Sequence, residues 1–312
     1  MNTLHRITRV GAVGLLCLAV GGLAVAVLPQ VAQAELYSIV KVPGLYGNLD
    51  QDKIPQGGQY MCGPTAAVNS FIYLQNAYPA NYDTSLVPVG SAGGLDLDGN
   101  GIPGQYYDDM VAVAQTVGGL NYMNTKANLV GGAGGAGTWD DMFIYGKRNY
   151  IESVLPNKTV YAAQLKSMWA WAGRPADETP PLPKPAWVHE LTQPDGIFLY
   201  NELNDCEDVE ILIVDGDWGH FLTVTGLVWN DLNNNGLIEA AEKALIHYID
   251  PVTGAPGISS IDGQVNPGDP IRINYGNFPQ AELVMTMSES VPEPMTLSLL
   301  ALGALVVMRK RR

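Results

Sequence analysis

Basic charge is scarce in this 312-residue chain, where 17 Lys and Arg stand against 31 Asp and Glu and the net charge is −14. Six of those cations lie in the first nine and last four residues, so residues 35–291 keep 11 basic against 30 acidic side chains. A surface that acidic repels nucleic acid and anionic lipid and attracts multivalent cations. Nucleic-acid binding is therefore excluded. Cysteine is scarcer still, three in all, and Cys17 belongs to an apolar leader. Cys62 and Cys206 remain, and in an oxidising envelope they either pair as one disulfide or stand as free thiols. Histidine is limited to four, of which His189, His220 and His247 fall within 35–291. Any chemistry that needs an imidazole has only these to draw on.

The apolar runs at the two ends carry addressing information. Arg6 and Arg9 precede VGAVGLLCLAVGGLAVAVL, and AQA ending at Ala34 offers the small residues of a cleavage site. Residues 1–34 thus read as a signal peptide, with a retained anchor as the alternative, and the chain leaves the cytoplasm. At the far end VPEP is followed by MTLSLLALGALVVM and RKRR. That apolar segment is short for a span, and its four cations would stay on the cytoplasmic side. Pro292, Glu293 and Pro294 with the segments behind them resemble the PEP-CTERM sorting tail of Gram-negative bacteria. The resemblance implies transient membrane insertion of 292–312, removal by an exosortase, and delivery to the outer surface or biofilm matrix. A plain C-terminal anchor is the other reading.

Between the tails about 257 residues suffice for one large domain. Residues 35–58 read as an extended lead-in, and apolar spacing predicts helices over 64–75, 106–120 and 138–155. The glycine stretch 130–137 and the Pro-rich 174–187 break the pattern. Strands are expected at 158–165, 209–214, 219–229 and 243–251, a helix at 196–205, and edge strands in IRINYG and AELVMTMSES. Helices early and strands late make an α+β domain rather than alternating βαβ units.

The stretch QGGQYMCGPTAAVNSFIYL sets Cys62 at the start of a helix, with Pro64 tolerated in the first turn. A helix N-terminus offers partial positive charge and free N–H groups, which favour a thiolate. The Cys62 N–H and a side-chain amide from Gln56 would together face a developing oxyanion. His220 opens an apolar strand after Gly219, and Asp250 ends the next strand, where it reaches the ring if the two pair antiparallel. His189 sits beside the Pro-rich stretch and His247 lies mid-strand, so His220 is the candidate base. Cys206, in polar LNDCEDVE, is the less reactive of the two.

Taken together, QGGQYMCGPTA, GHFLTVTG and YIDP resemble three blocks of papain-superfamily cysteine peptidases, more narrowly the bacterial double-glycine leader peptidase-like branch. The resemblance spans 56–251 and implies a papain-like fold, with a Cys-bearing helix packed on an antiparallel sheet that bears His and Asp. It implies Cys62 as nucleophile, His220 as base, Asp250 as its orienting acid and Gln56 in the oxyanion hole, with no organic cofactor. The long interval between Cys62 and His220 and the acidic loop between His220 and Asp250 depart from the family pattern.

That loop, DLNNNGLIEAAE, fits a twelve-residue calcium pattern. Asp231, Asn233 and Asn235 occupy positions one, three and five, Gly236 the sharp turn, Leu237 position seven, Glu239 position nine and Glu242 the closing twelfth. A plain Asn-Gly hairpin would not require Glu242. With three charged ligands the site suits a calcium-rich outside medium. A second stretch starts likewise with Asp96, Asp98 and Asn100, but Tyr107 holds position twelve and Asp108 or Asp109 would have to substitute. Two functions follow as expectations. One is an exported, surface-sorted thiol hydrolase of peptide or amide bonds that is stabilised by calcium, with a signal peptidase and an exosortase as processing partners. The other is a non-catalytic calcium-binding matrix protein that keeps the fold.

Overall fold

The computed structural model describes residues 34–55, 58–125, 137–166 and 184–292, in which a strand opens the order, four helices follow, and eight strands come after them with a fifth helix among them. The expected leader before Ala34, Gln56, nearly all of 130–137, most of 174–187 and the tail beyond Pro292 lie outside them. The described residues belong to one compact unit, Gln33–Arg312. Among them no helix is long and apolar enough to cross a membrane.

The helices are α1 (Cys62–Ala77), α2 (Pro79–Tyr82), α3 (Tyr106–Gly118), α4 (Asp140–Val154) and α5 (Gly196–Asn204). The strands are β1 (Glu35–Val40), β2 (Val160–Lys166), β3 (Val188–Leu191), β4 (Asp208–Asp215), β5 (Trp218–Asp231), β6 (Ala244–Asp250), β7 (Ala255–Asp262), β8 (Arg272–Tyr275) and β9 (Phe278–Ser290). The chain is a mixed α+β protein with one large, mostly antiparallel sheet. Among the described strands only β2 and β3 run parallel.

Pairing closes six strands on themselves. β4 bonds β5 and β9, while β5, β6, β7, β8 and β9 bond in succession. β1 extends β5, and β2 with β3 extends β9. Side-chain alternation then sorts β4 between two cores. Val209, Ile211 and Ile213 point into the ring with Leu222, Trp229, Ile246 and Leu283, and α5 adds Leu199 and Leu203. Leu212 and Val214 point out, under α1, α3 and α4. Phe221 joins that outer core, 1 % exposed and stacked on Phe143 of α4 with centroids 4.4 Å apart. Full burial of such a ring is worth about 1.5–3 kcal/mol, so β5 is held firmly to the helical layer.

Helix α1 is buried from Cys62 to Gln75, which its apolar composition permits only because its polar groups find partners. Asn69 accepts from Leu49 N–H at 2.8 Å and donates to the Leu49 carbonyl, fastening the lead-in segment to the helix. The same segment reaches the β6–β7 turn, where Gln51 N–H donates to the Pro251 carbonyl. Gly254 permits that approach, because its φ is +65° and a Cβ there would strike the Asn48 carbonyl.

The two expected edge strands need correction. IRINYG forms β8, bonded to β7 and to β9, and AELVMTMSES lies in β9, bonded on both sides because its alternating buried residues serve both cores. His189, beside the Pro-rich stretch, lies on β3, held by β2 and by the Val188 N–H bond to Pro185. APGISSID forms β7, a strand its Pro and Gly content hides.

Candidate active site and two acidic loops

Cys62 is the first residue of α1, where backbone N–H groups have no intrahelical acceptor. Glycine at 63 lets the turn pass close to the 138 segment, since a Cβ would lie 2.9 Å from Thr138 Oγ1. His220 stands near the start of β5. The β5–β6 register pairs Thr223 with Ile249, and its continuation sets Asp250 opposite Leu222, two residues from His220 and on the same face. His220 Nε2 meets Asp250 Oδ1 at 3.2 Å. The Cys62 thiol bears on the same imidazole, each of the two groups shifting the other's ionisation.

Cys62 and His220 are 8 % and 4 % exposed, so their interaction is little screened by water. Burial pushes the Cys62 thiol up, but the hydrogen bond and charge of His220, with backbone hydrogen bonds from Phe221 and Gly63, outweigh it. The thiol ends below its ordinary value. Burial likewise opposes the imidazolium, yet hydrogen bonds to Asp250 and Cys62 and both their charges hold His220 up at about 9. Asp250, despite partial burial, is held below the usual carboxylate range by His220, by Val252 N–H and by Tyr275. The three groups thus favour a thiolate beside an imidazolium. Such a pair is a nucleophile with its proton donor already in place.

Neither thiol is spent in a disulfide: Cys62 and Cys206 are both free, the first buried and the second exposed. His247, three residues before Asp250, leaves the opposite face of β6, and His189 is exposed on β3. Two residues that sequence reasoning missed complete the surroundings. Tyr275 of β8 donates its hydroxyl to Asp250 Oδ2 at 2.8 Å. Trp218 lies 5.6 Å from the His220 ring and stacks on Phe278 at 3.9 Å. Tyr275 reaches the site through the sheet alone and no short motif marks it, whereas Trp218 stands two residues before His220 on β5, where strand alternation sets both on one face.

The two acidic loops share one hydrogen-bond pattern. Asp231 Oδ1 and Oδ2 accept from the N–H groups of Asn235 and Gly236, Asn233 Oδ1 from Asn235 N–H, and Asn235 Oδ1 from Leu237 N–H. Asp96, Asp98 and Asn100 repeat these bonds toward Asn100, Gly101 and Ile102. In the second loop Asp108, not Asp109, closes the turn. One carboxylate oxygen each from Asp96, Asp98 and Asp108 lies within 4.8 Å of the others. Asp109 is bound instead to Gly90 and Ala92 N–H, and the Tyr107 hydroxyl to Asp50 N–H.

No such carboxylate triple forms in 231–242. There Glu242 accepts from Trp229 Nε1 at 2.6 Å, Leu232 N–H and Glu239 N–H, while Glu239 accepts from Asn233 and Asn235. Asp231 and Glu242 are nonetheless buried, at 0 % and 6 % exposure, and among the described residues no ion pair neutralises them. Buried carboxylates without a cation beside them fit a site for a hard divalent ion. A third acidic group differs in kind. Asp208, Glu210 and Glu289 surround Lys147 in the outer core, and its Nζ lies 2.6 Å from Glu210 and 3.2 Å from Asp208. The ammonium already stands where a metal would.

No protein-family model matches this chain, and a search of curated proteins finds no significant match either.

Proposed function

We propose that the chain is a thiol hydrolase of papain-like kind that cuts a peptide or related amide bond. The observation that carries the reading is the meeting of Cys62, His220 and Asp250 from α1, β5 and β6. The layout of a Cys-bearing helix against a sheet bearing His and Asp supports the papain-like fold. In the proposed reaction the Cys62 thiolate attacks the carbonyl carbon, and the carbonyl electrons move to oxygen. The Cys62 N–H and the Gln56 side chain stabilise that oxyanion. His220 gives its proton to the leaving nitrogen as the C–N bond breaks, leaving a thioester. Water then attacks the thioester, His220 takes its proton, and the acid and the thiolate are released.

Calcium belongs to the proposal as a structural ion. Asp231, Asn233, Asn235, Leu237, Glu239 and Glu242 would hold it in one loop, and Asp96, Asp98, Asn100 and Asp108 in the other. When bound it supplies positive charge that neutralises the buried carboxylates and ties the loop ends together. The signal peptide and PEP-CTERM-like tail complete the picture of an exported protein sorted to a Gram-negative cell surface. A second reading, a calcium-binding matrix protein without catalysis, is favoured by the matched geometry of the two loops.

One comparison separates the readings. Wild type and Cys62→Ala are incubated with a peptide library at millimolar calcium. Cleavage by wild type alone supports the hydrolase. Equal profiles from both proteins, with Cys62 slow toward alkylating agents, favour the matrix protein.

A further inference from the structure

The Asp250 carboxylate is gripped at both oxygens, and the two grips come from different strands. Oδ1 accepts from His220 Nε2 at 3.2 Å and from Val252 N–H at 2.9 Å. Oδ2 accepts from the Tyr275 hydroxyl at 2.8 Å. Tyr275 sits on β8, which bonds β7 and β9 and has no ladder with β6. Its ring also covers the imidazole, with centroids 5.1 Å apart. The torsion that turns a carboxylate about its own axis is soft and broad. A hold on one oxygen leaves that rotation open, whereas holds on both oxygens fix the plane.

We propose that Tyr275 is a positioning residue of this site: its hydroxyl takes Oδ2 of Asp250 and thereby keeps Oδ1 on the His220 ring. The inference rests on the thiol-hydrolase reading. Simple packing does not account for it, since a phenylalanine would fill the same space without the hydroxyl. Burial, with the charge of Asp250 next, pushes the Tyr275 phenol up, so it remains a donor wherever the site works. The titratable groups around the carboxylate are His220 from β5, Tyr248 from its own strand and Tyr275 from β8, and the charge of Cys62 from α1 acts on His220 and Tyr275.

Iodoacetamide tests this without knowledge of the substrate. The full chain and its Tyr275→Phe variant are alkylated at pH 6 and pH 10, and the Cys62 peptide is quantified by mass spectrometry. An ordinary thiol reacts about three hundredfold slower at pH 6 than at pH 10, following its thiolate fraction. Wild type is expected to lose far less than that. Tyr275→Phe should lower the pH 6 rate about tenfold at an unchanged pH 10 rate and unchanged Tm, a pattern that general loosening would not give. In an Asp250→Asn background Tyr275→Phe should add nothing, because the hydroxyl then has no carboxylate to hold.

A variant that alkylates like wild type at pH 6 overturns the positioning role and leaves the hydrolase reading standing. Full additivity with Asp250→Asn also overturns it. Ordinary-thiol behaviour of wild-type Cys62 overturns both. Should Tyr275→Phe fold poorly, Tyr275→His supplies a ring with its own donor. Restored pH 6 reactivity supports the role, and a rate as slow as that of Asp250→Asn counts against it.

Discussion

His220 Nε2 and Asp250 Oδ1 stand 3.2 Å apart on neighbouring strands whose only covalent link between them is the acidic loop 231–242 and its flanks. The imidazole is therefore oriented by a group that the loop helps to place. Replacing Asp250 with Asn keeps the side-chain shape and removes the charge that holds the imidazolium. Hydrolysis should fall about a hundredfold or more, within the range by which a positioned acid–base group accelerates a reaction. Steady-state kinetics of Asp250→Asn check this, and turnover within a factor of two of wild type would remove Asp250 from the site.

The pH profile should be a bell. The reactive pair exists where the thiol has lost its proton and the imidazole has kept its own. The thiol lies below its ordinary value and the imidazole at about 9, so activity rises with the depressed thiol ionisation and declines as pH passes about 9. Measured kcat/KM against pH decides the matter. A rate still climbing from pH 9 to 10, as for an isolated thiol, contradicts the pair.

Much of this site was legible because its chemistry sits at punctuated places. Cys62 precedes Pro64 at a helix start, His220 follows Gly219 at a strand start, and Asp250 precedes Pro251 at a strand end. Local signals of that sort survive without knowledge of the fold. Tyr275 gave no signal, since RINY reads as any short strand until its hydroxyl is seen to reach Asp250 from β8. The closing of β4 through β9 into a ring was equally hidden. It depends on β4 bonding two strands distant in sequence, which periodicity within a segment cannot reveal. Asp108 was one of two neighbours in the sequence, and the fold separates them: Asp108 accepts from Gln105, Leu97 and Asp98 N–H, Asp109 from Gly90 and Ala92 N–H.

The buried Lys147 cluster should make the fold prefer mild acid. Burial raises all three carboxylates against the pull of Lys147: Glu210 to about 7, Glu289 well above the usual range, and Asp208 upward. The folded state thus binds more protons than the unfolded chain above pH 4.5, and stability declines as pH rises through 7. His220, held at about 9, adds to the same trend, while the lowered Cys62 thiol acts against it. Urea unfolding at pH 5 and pH 8 should give the higher stability at pH 5, and the difference should shrink in Glu210→Gln. Lys147→Met, which leaves the carboxylates without their cation, should cost roughly 3–5 kcal/mol at pH 7 and less at pH 5. Equal stability at both pH values would mean that these carboxylates share no proton.

Calcium has a built-in reporter in Trp229, which is fully buried and donates from Nε1 to Glu242 Oε2. Two-oxygen ligation by Glu242 would draw on the electron pairs that accept this bond, so the indole's surroundings must change when the ion binds. Emission should shift on calcium addition to chelator-treated protein and return on chelation. Trp229→Phe should lose that shift, and Glu242→Gln should abolish it, while Asp96→Asn, in the other loop, should keep it. The same addition should raise Tm, since an ion at one hundred times its Kd stabilises by about 2.7 kcal/mol. Hydrolysis should fall with the emission change, because the loop joins the strand of His220 to the strand of Asp250. Were turnover to stay constant while emission showed the loop emptied, calcium would be irrelevant to catalysis, and the sheet ladder alone would set the distance between base and acid.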